Sequence, residues 1–295
     1  MKTERANAKI NPYLDVVGVR EDGYHNIVSI MQTVSLCDLV TVDFHPDVHT
    51  SIHISASGND QMPTDCRNLA WRAAEKYLQR VQRSGSVQII IQKNIPMAAG
   101  LAGGSADAAA VLRALNHLCG SPLSVEELCK VGVTLGADVP FCICGGSALV
   151  EGIGERLSAI PAMPQGYLVV ACRGEGVSTP WAYGALDEKY GKHYSQSTAT
   201  EAVKRITEEW QNQSLLTSCA RFYNVFEEVV PAVQGHVEAL KQIMRDGGAV
   251  QAMMSGSGPS VFGIFEGQEA AFEACARLRE AGAAAFVCHP CGKYE

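Results

Sequence analysis

Nowhere in these 295 residues does an unbroken apolar run reach about eighteen, the least a helix needs to cross a bilayer; the most apolar stretch, Val131 to Val150, carries Asp138 and several glycines. A membrane-spanning protein is therefore not expected. Basic runs are missing as well: the 24 Lys and Arg residues are dispersed and the net charge is -7, which argues against nucleic acid or an anionic membrane surface as the main partner. An anionic ligand would have to be held by local groups. Met1-Lys2-Thr3-Glu4-Arg5 leads into no apolar signal-peptide core, and the 11 cysteines are odd in number and irregular in spacing, so reduced thiols in a cytoplasmic protein are expected. Cys142-x-Cys144 and Cys288-His289-Pro290-Cys291 lack a second pair at zinc-finger spacing and read as buried free thiols. There is no internal repeat and no low-complexity tract.

With 47% apolar and 19% charged residues, the chain can bury a sizeable core and is long enough for two domains. Ala8 to Val17 alternates as a half-buried strand, with Lys9, Asn11, Tyr13 and Asp15 on one face and Ile10, Pro12, Leu14 and Val16 on the other; Pro12 suggests a sheet edge. Ile27 to Phe44 and Ser51 to Ser55 read as strands, Asn68 to Val81 as a helix and Val87 to Ile91 as a buried strand. A glycine-rich segment then leads into a helix with Ala108, Val111, Leu112, Leu115 and Leu118 at helical spacing, stopped by Gly120. Ser124-Val125-Glu126-Glu127 is a capping box for the next helix, which ends near Leu135-Gly136, and a strand begins at Ser147. Beyond Pro161 come a strand (Tyr167 to Ala171), several helices, a strand near Val250 to Met254 and the turn Ser255-Gly256-Ser257-Gly258-Pro259. A strand from Ser260 to Phe265, a helix from Ala270 to Ala281 and a strand from Ala284 to Cys288 complete the order. A mixed α and β first half and a small α+β sandwich are expected, divided near Pro161.

The segment Pro96 to Ser105 is the first to carry chemistry. Its closely spaced glycines let backbone N–H groups approach an anion, and the following helix offers unpaired N–H groups and a positive dipole end. That is a phosphate cradle, although the same glycines would serve a plain tight turn. Two better-known phosphate motifs are absent. There is no Gly-x-x-x-x-Gly-Lys-Ser/Thr, and the loop follows a long N-terminal segment instead of opening a strand-helix-strand unit, which disfavours a dinucleotide fold. Taken alone, Asp138 before Val139-Pro140 reads as a turn or cap residue, and Lys9 as a solvated strand residue.

The loop Pro96-Met97-Ala98-Ala99-Gly100-Leu101-Ala102-Gly103-Gly104-Ser105 resembles the Pro-x-x-x-Gly-Leu-x-Gly-Gly-Ser signature of the GHMP kinases, the galactokinase, homoserine kinase, mevalonate kinase and phosphomevalonate kinase family. Ala8-Lys9-Ile10-Asn11 is similar to that family's first motif and Met254-Ser255-Gly256-Ser257-Gly258-Pro259 to its third. The resemblance implies an α+β, two-domain fold: a nucleotide-binding domain over residues 1–160 and a ferredoxin-like, substrate-binding domain over 161–295. It also implies ATP and Mg²⁺, with a small-molecule alcohol as acceptor. The loop from Pro96 to Ala106 would wrap the ATP phosphates, with Asn68 and Lys93 on the adenine side. Lys9 and Asp138 would flank the acceptor hydroxyl, Asp138 as base, and Asn11, Gly256 and Ser257 would contact substrate.

Gly18-Val19-Arg20-Glu21-Asp22-Gly23-Tyr24-His25, Leu135-Gly136-Ala137-Asp138-Val139-Pro140-Phe141 and Val150-Glu151-Gly152-Ile153-Gly154-Glu155 are similar to a branch of the family whose substrate is a cytidine diphosphate derivative. By that resemblance Tyr24 stacks on the base, His25 reads its edge and Tyr183 forms the second face. The chain departs from many relatives in having Ala98, Ala102 and Ala106 where glycine or a second serine is common. Alanine still donates its N–H provided no positive φ is needed, whereas Ala106 has no hydroxyl, which leaves Ser105 as the Mg²⁺ candidate. Kinases of mevalonate, homoserine or a sugar, and a silent nucleotide-binding protein of the same fold, are the alternatives; oligomeric state stays open.

Overall fold

The computed structural model describes residues 1–58, 61–194, 197–231 and 234–294. The first half runs β1 (Lys2–Val19), β2 (His25–Pro46), β3 (Ser51–Ser57), α1 (Leu69–Val81), β4 (Gly85–Gln92), α2 (Gly103–Leu118), α3 (Val125–Val133), α4 (Val139–Cys144), β5 (Ser147–Gly152) and β6 (Arg156–Ala159). The second half runs β7 (Tyr167–Cys172), α5 (Thr179–Tyr190), α6 (Ser197–Gln211), α7 (Leu215–Ser218), β8 (Tyr223–Asn224), α8 (Gly235–Asp246), β9 (Gln251–Met254), β10 (Val261–Phe265), α9 (Gln268–Glu280) and β11 (Ala284–Cys288).

β1 and β2 form an antiparallel spine. On its far side β2 pairs with β5 through Ile27–Gln32 and with β4 through Leu39–Pro46, giving a sheet ordered β3-β4-β2-β1-β8 with β5 and β6 attached at the other half of β2. One face packs on the helices: Val40, Val42, Ile89 and Ile91 share a core with Ala73, Tyr77, Ala108, Val111 and Leu115. From the other side Ile10 and Ile30 share a second core with Leu168, Val170, Phe262, Ile264 and Trp210.

β1 is thus covered on both faces, and the half-buried alternation expected for it becomes an unbroken buried run from Ala6 to Leu14. Lys9 and Asn11 are carried into the interior by that covering. Pro12 has no partner in either neighbouring strand, because β8 pairs with β1 only at Tyr13 and Leu14 and the β1–β2 register shifts between Ile10 and Tyr13; the proline occupies that bulge, where a missing N–H is tolerated.

β7, β9, β10 and β11 make an antiparallel sheet in the order β11-β7-β10-β9, with α8 and α9 in the connections, which is the ferredoxin-like order expected for the second half. Sheet membership changes between Ala159 and Tyr167, except that β8 crosses back to pair with β1. The chain end also returns, bridging Val34 to Pro290 and Gly145 to Lys293.

The capping box forms as expected, with Ser124 and Glu127 bonding reciprocally at the start of α3. α4 was not foreseen; its Pro140 lies in the first turn, where the missing N–H costs nothing. Cys144 faces Cys129 and not Cys142, with the two sulfurs 3.7 Å apart. Among the described residues every cysteine is free, and no helix is long and apolar enough to cross a membrane.

Candidate active site

The two halves meet at a cavity of about 850 Å³ lined from β1, the glycine-rich loop, the start of α4, α5 and the 256–257 turn. Lys9 and Asn11 enter it from β1. Lys9 is 4% exposed, and its Nζ donates to Asn11 Oδ1 at 2.7 Å and to Gly100 O at 2.9 Å. An ammonium has three N–H donors, so one remains for a group in the cavity. Asn11 Nδ2 donates to Ser29 Oγ at 2.9 Å, and Ser29 Oγ donates to Tyr13 O at 2.7 Å, which turns the Asn11 oxygen toward Lys9.

The loop is stapled on two sides: Lys9 N donates to Leu101 O at 3.1 Å and Ser260 N to Ala99 O at 3.2 Å. Such close approach requires glycine at two positions. A Cβ at Gly100, where φ is +77°, would lie 2.1 Å from Ser255 O, and one at Gly256, where φ is +57°, would lie 3.0 Å from Gly100 O and 3.1 Å from Lys9 Nζ. The proviso on the alanines fails for two of them, because Ala98 and Ala102 take φ of +50° and +57°. Each carries a cost of about 1–2 kcal/mol that glycine would avoid.

Ala102 precedes α2 with a side chain that caps nothing, and the N–H groups of Gly103, Gly104 and Ser105 have no protein partner among the described residues. All three residues line the cavity, together with Ala98, Ala99, Gly100 and Ala102, so phosphate oxygens fit here as acceptors. Pro96, Met97, Leu101 and Ala106 do not line it; Leu101 and Ala106 are buried in packing. Ser105 Oγ makes no hydrogen bond among the described residues. A free hydroxyl suits Mg²⁺, which takes few protein oxygens and fills its shell from phosphates and water.

Lys93 and Asn68 also lie outside the lining. Lys93 Nζ is buried between Asp38 Oδ2 (2.5 Å) and Asp107 Oδ2 (2.8 Å), under the first turn of α2. Burial works against its charge, but Asp107 and Asp38 together raise its pKa. The Asp107 carboxyl is also raised, by burial first, with Lys93 pulling it back only in part. Asp38 Oδ1 accepts from Asn94 N at 2.6 Å and Ile95 N at 2.8 Å, so this ion cluster anchors the entry to the loop. Asn68 is spent as the N-cap of α1, accepting from Ala70 N at 2.9 Å and donating to Pro63 O at 2.7 Å.

Asp138 immediately precedes α4, yet its carboxylate makes no cap bond and no ion pair among the described residues; it lines the cavity instead. Its charge is felt within the site. The Tyr183 hydroxyl is pushed up to about 12, by burial first and then by Asp138. The buried Cys142 thiol is pushed up by burial and by Asp138, while Lys9 pulls it down, so one residue feels both charges.

At the other end Thr179, Tyr183 and Asp187 recur every fourth residue and present one stripe of α5 to the cavity. Tyr24 stands at the rim, 60% exposed. The Tyr183 ring stacks on His25, with centroids 4.5 Å apart at 22°, and meets the Phe226 ring edge to face at 5.0 Å. His25 Nε2 lies 2.8 Å from Asp187 Oδ1, which also accepts from Tyr194 OH at 2.8 Å. Burial pushes the Asp187 carboxyl up, but these two hydrogen bonds outweigh it and hold the group below the usual carboxylate range. The hydroxyls of Ser257 and Thr179, 2.9 Å apart, tie the third-motif turn to α5. Asp187, Thr179 and Phe226 were not foreseen; helical spacing from Tyr183 points to the first two, and nothing local points to Phe226.

Comparison with known proteins gives a consistent picture. The family model of the GHMP kinases N terminal domain matches residues 68–146, and that of the GHMP kinases C terminal matches 199–284. A protein of Caldicellulosiruptor saccharolyticus named 4-diphosphocytidyl-2-C-methyl-D-erythritol kinase is 42% identical over 93% of this chain and 92% of its own. One of the same name from Gloeobacter violaceus is 40% identical over 98% and 94%. Among solved structures, a 4-(cytidine 5'-diphospho)-2C-methyl-D-erythritol kinase superposes with a TM-score of 0.80 at 33% identity, covering 99% of this chain and 100% of the other. The mevalonate kinase of L. major, 17% identical with a TM-score of 0.74, covering 99% of this chain and 96% of the other, shares the fold.

Proposed function

This chain belongs to the GHMP kinase family, and on that premise we propose that its cavity transfers the γ-phosphoryl group of ATP to the 2-hydroxyl of 4-diphosphocytidyl-2-C-methyl-D-erythritol, a step of non-mevalonate isoprenoid precursor synthesis. One observation carries the reading: the amide-rich loop, the Lys9 ammonium and the Asp138 carboxylate border one cavity whose far end holds Tyr24, His25 and Tyr183. The triphosphate rests against the free N–H groups that open α2. The acceptor oxygen then bonds to the γ-phosphorus as the bond from that phosphorus to the β,γ-bridging oxygen breaks, ADP departs, and the hydroxyl proton passes to Asp138.

Such transfers have a loose transition state, so the barrier falls mainly through alignment and through positive groups around the phosphoryl oxygens. Lys9 offers its remaining N–H there, held in line by Asn11 and Gly100. Mg²⁺, when bound, would be held by phosphate oxygens and Ser105 Oγ and would add positive charge at the transferring group. The aromatic end takes the base, where stacking contributes about 1–3 kcal/mol.

Mevalonate, homoserine and sugars carry no base, and would leave Tyr24, His25 and Tyr183 without a ligand. ATP turnover with the cytidyl substrate, mevalonate, homoserine and galactose as acceptors tests the assignment. A clear preference for the cytidyl substrate is expected; a preference for any of the others would overturn it.

A further inference from the structure

The chain of contacts from Tyr194 through Asp187 to His25 takes no part in phosphoryl transfer as described. Resting on the proposed function, we infer that Asp187, held by Tyr194, fixes the His25 imidazole with its proton on Nε2 and thereby selects a cytosine over a uracil base.

A carboxylate has only acceptors, so both groups that meet Asp187 Oδ1 must donate to it: Tyr194 through its hydroxyl and His25 through Nε2, each at 2.8 Å. Asp187 stays ionised because those hydrogen bonds hold its carboxyl low against burial, and the Tyr194 hydroxyl is raised by burial and by Asp187, so it keeps its proton to donate. In the neutral imidazole the other nitrogen is then an acceptor. Nδ1 has no partner among the described residues, and His25 borders the cavity.

The ring has little freedom to exchange its two nitrogens. It lies flat on Tyr183 at 4.5 Å, takes the edge of Tyr194 at 6.0 Å and 83°, and its side chain is 9% exposed. Cytosine presents an exocyclic amino donor where uracil presents a carbonyl acceptor. An Nδ1 lone pair accepts from the first and is set lone pair to lone pair against the second, so discrimination comes from repulsion as much as from attraction. One mismatched polar contact of this kind is expected to shift the preference by about tenfold to a hundredfold.

Asp187→Asn reverses the logic, because a carboxamide can donate to Nε2, which must then accept and move the ring proton to Nδ1. The experiment compares kcat/KM for the cytidyl substrate and its uridyl counterpart in the wild type, Asp187→Asn and Tyr194→Phe, and records the ¹⁵N spectrum of the His25 ring. The wild type is expected to favour the cytidyl substrate at least tenfold, with the ring proton on Nε2. In Asp187→Asn that ratio falls at least tenfold, through KM for the nucleotide substrate and not KM for ATP, and the proton appears on Nδ1; Tyr194→Phe shows a smaller fall. A merely structural Asp187 would slow both substrates alike and leave the ratio unchanged, which overturns the inference alone. So does a wild-type spectrum with the proton on Nδ1, even where Asp187→Asn does not fold. A wild type that turns over no cytidyl substrate overturns the proposed function, and the selection of cytosine with it.

Discussion

At the end of the cavity proposed to take phosphate the groups offered to a ligand are backbone N–H groups at the start of α2 and an ammonium buried to 4% exposure; at the end proposed to take the nucleoside they are side chains, one of them a tyrosine 60% exposed. The first end is clamped by the Lys9–Leu101 and Ser260–Ala99 backbone bonds and backed by the Lys93 ion cluster. The second is assembled from the β1–β2 turn and α5, which meet through side chains, His25 with Asp187 and with Tyr183. A site built from clamped backbone tolerates almost no added volume. A site built from side chains loses affinity one contact at a time, which suits selection among bases.

The largest expected effect lies between the two ends. Asp138→Asn removes the proposed proton acceptor while leaving the loop amides in place, so kcat should fall on the order of a thousandfold with ATP affinity nearly unchanged. Steady-state kinetics with calorimetric ATP titration would check this, and unimpaired turnover would assign the proton to another group. Gly100→Ala tests the clamp. Its methyl group meets Ser255 O in a left-handed residue, and a stability loss of about 2–3 kcal/mol, with weakened ATP binding, is expected in chemical denaturation. A variant as stable as the wild type would mean that the loop yields, and the contrast between the two ends would vanish.

Tyr24→Ala probes the graded end. Loss of the proposed stacking partner should raise KM for the cytidyl substrate about tenfold, in line with about 1–3 kcal/mol per stacked base, and a change confined to KM for ATP would contradict the assignment. The smallest effect is a gain. Ala102→Gly relieves a left-handed alanine at φ +57°, and after the added freedom of the unfolded chain a stabilisation of about 0.5–1 kcal/mol should remain. A destabilised variant would show that the Ala102 methyl packs better than its backbone strain suggests.

The glycine-rich loop was the more legible in the sequence, because the need for glycine is a local backbone property that local spacing reveals. The strands and helices that position it were legible for the same reason, by alternation and by the Ser124–Glu127 box. Partners far apart in the chain were not legible. Lys93 and Asn68 were read as ligand contacts, but the lysine is engaged by Asp38, 55 residues away, and the asparagine by the cap of its own helix. His25 and Asp187, separated by 162 residues, meet only because α5 folds over the β1–β2 turn. Ala98 and Ala102 gave no sign of left-handed backbone, since alanine ordinarily avoids it. α4 was missed because the six residues Val139–Cys144 are apolar without a period.

The crystal structure of the complex with 4-diphosphocytidyl-2-C-methyl-D-erythritol and a non-hydrolysable ATP analogue would show whether Lys9, Asp138 and the loop amides converge on the reacting groups. The acceptor 2-hydroxyl is expected within hydrogen-bond reach of both Lys9 Nζ and the Asp138 carboxylate, in line with a γ-phosphate seated on the Gly103–Ser105 amides. A 2-hydroxyl held away from Asp138, or a triphosphate lying elsewhere than against the start of α2, would contradict it.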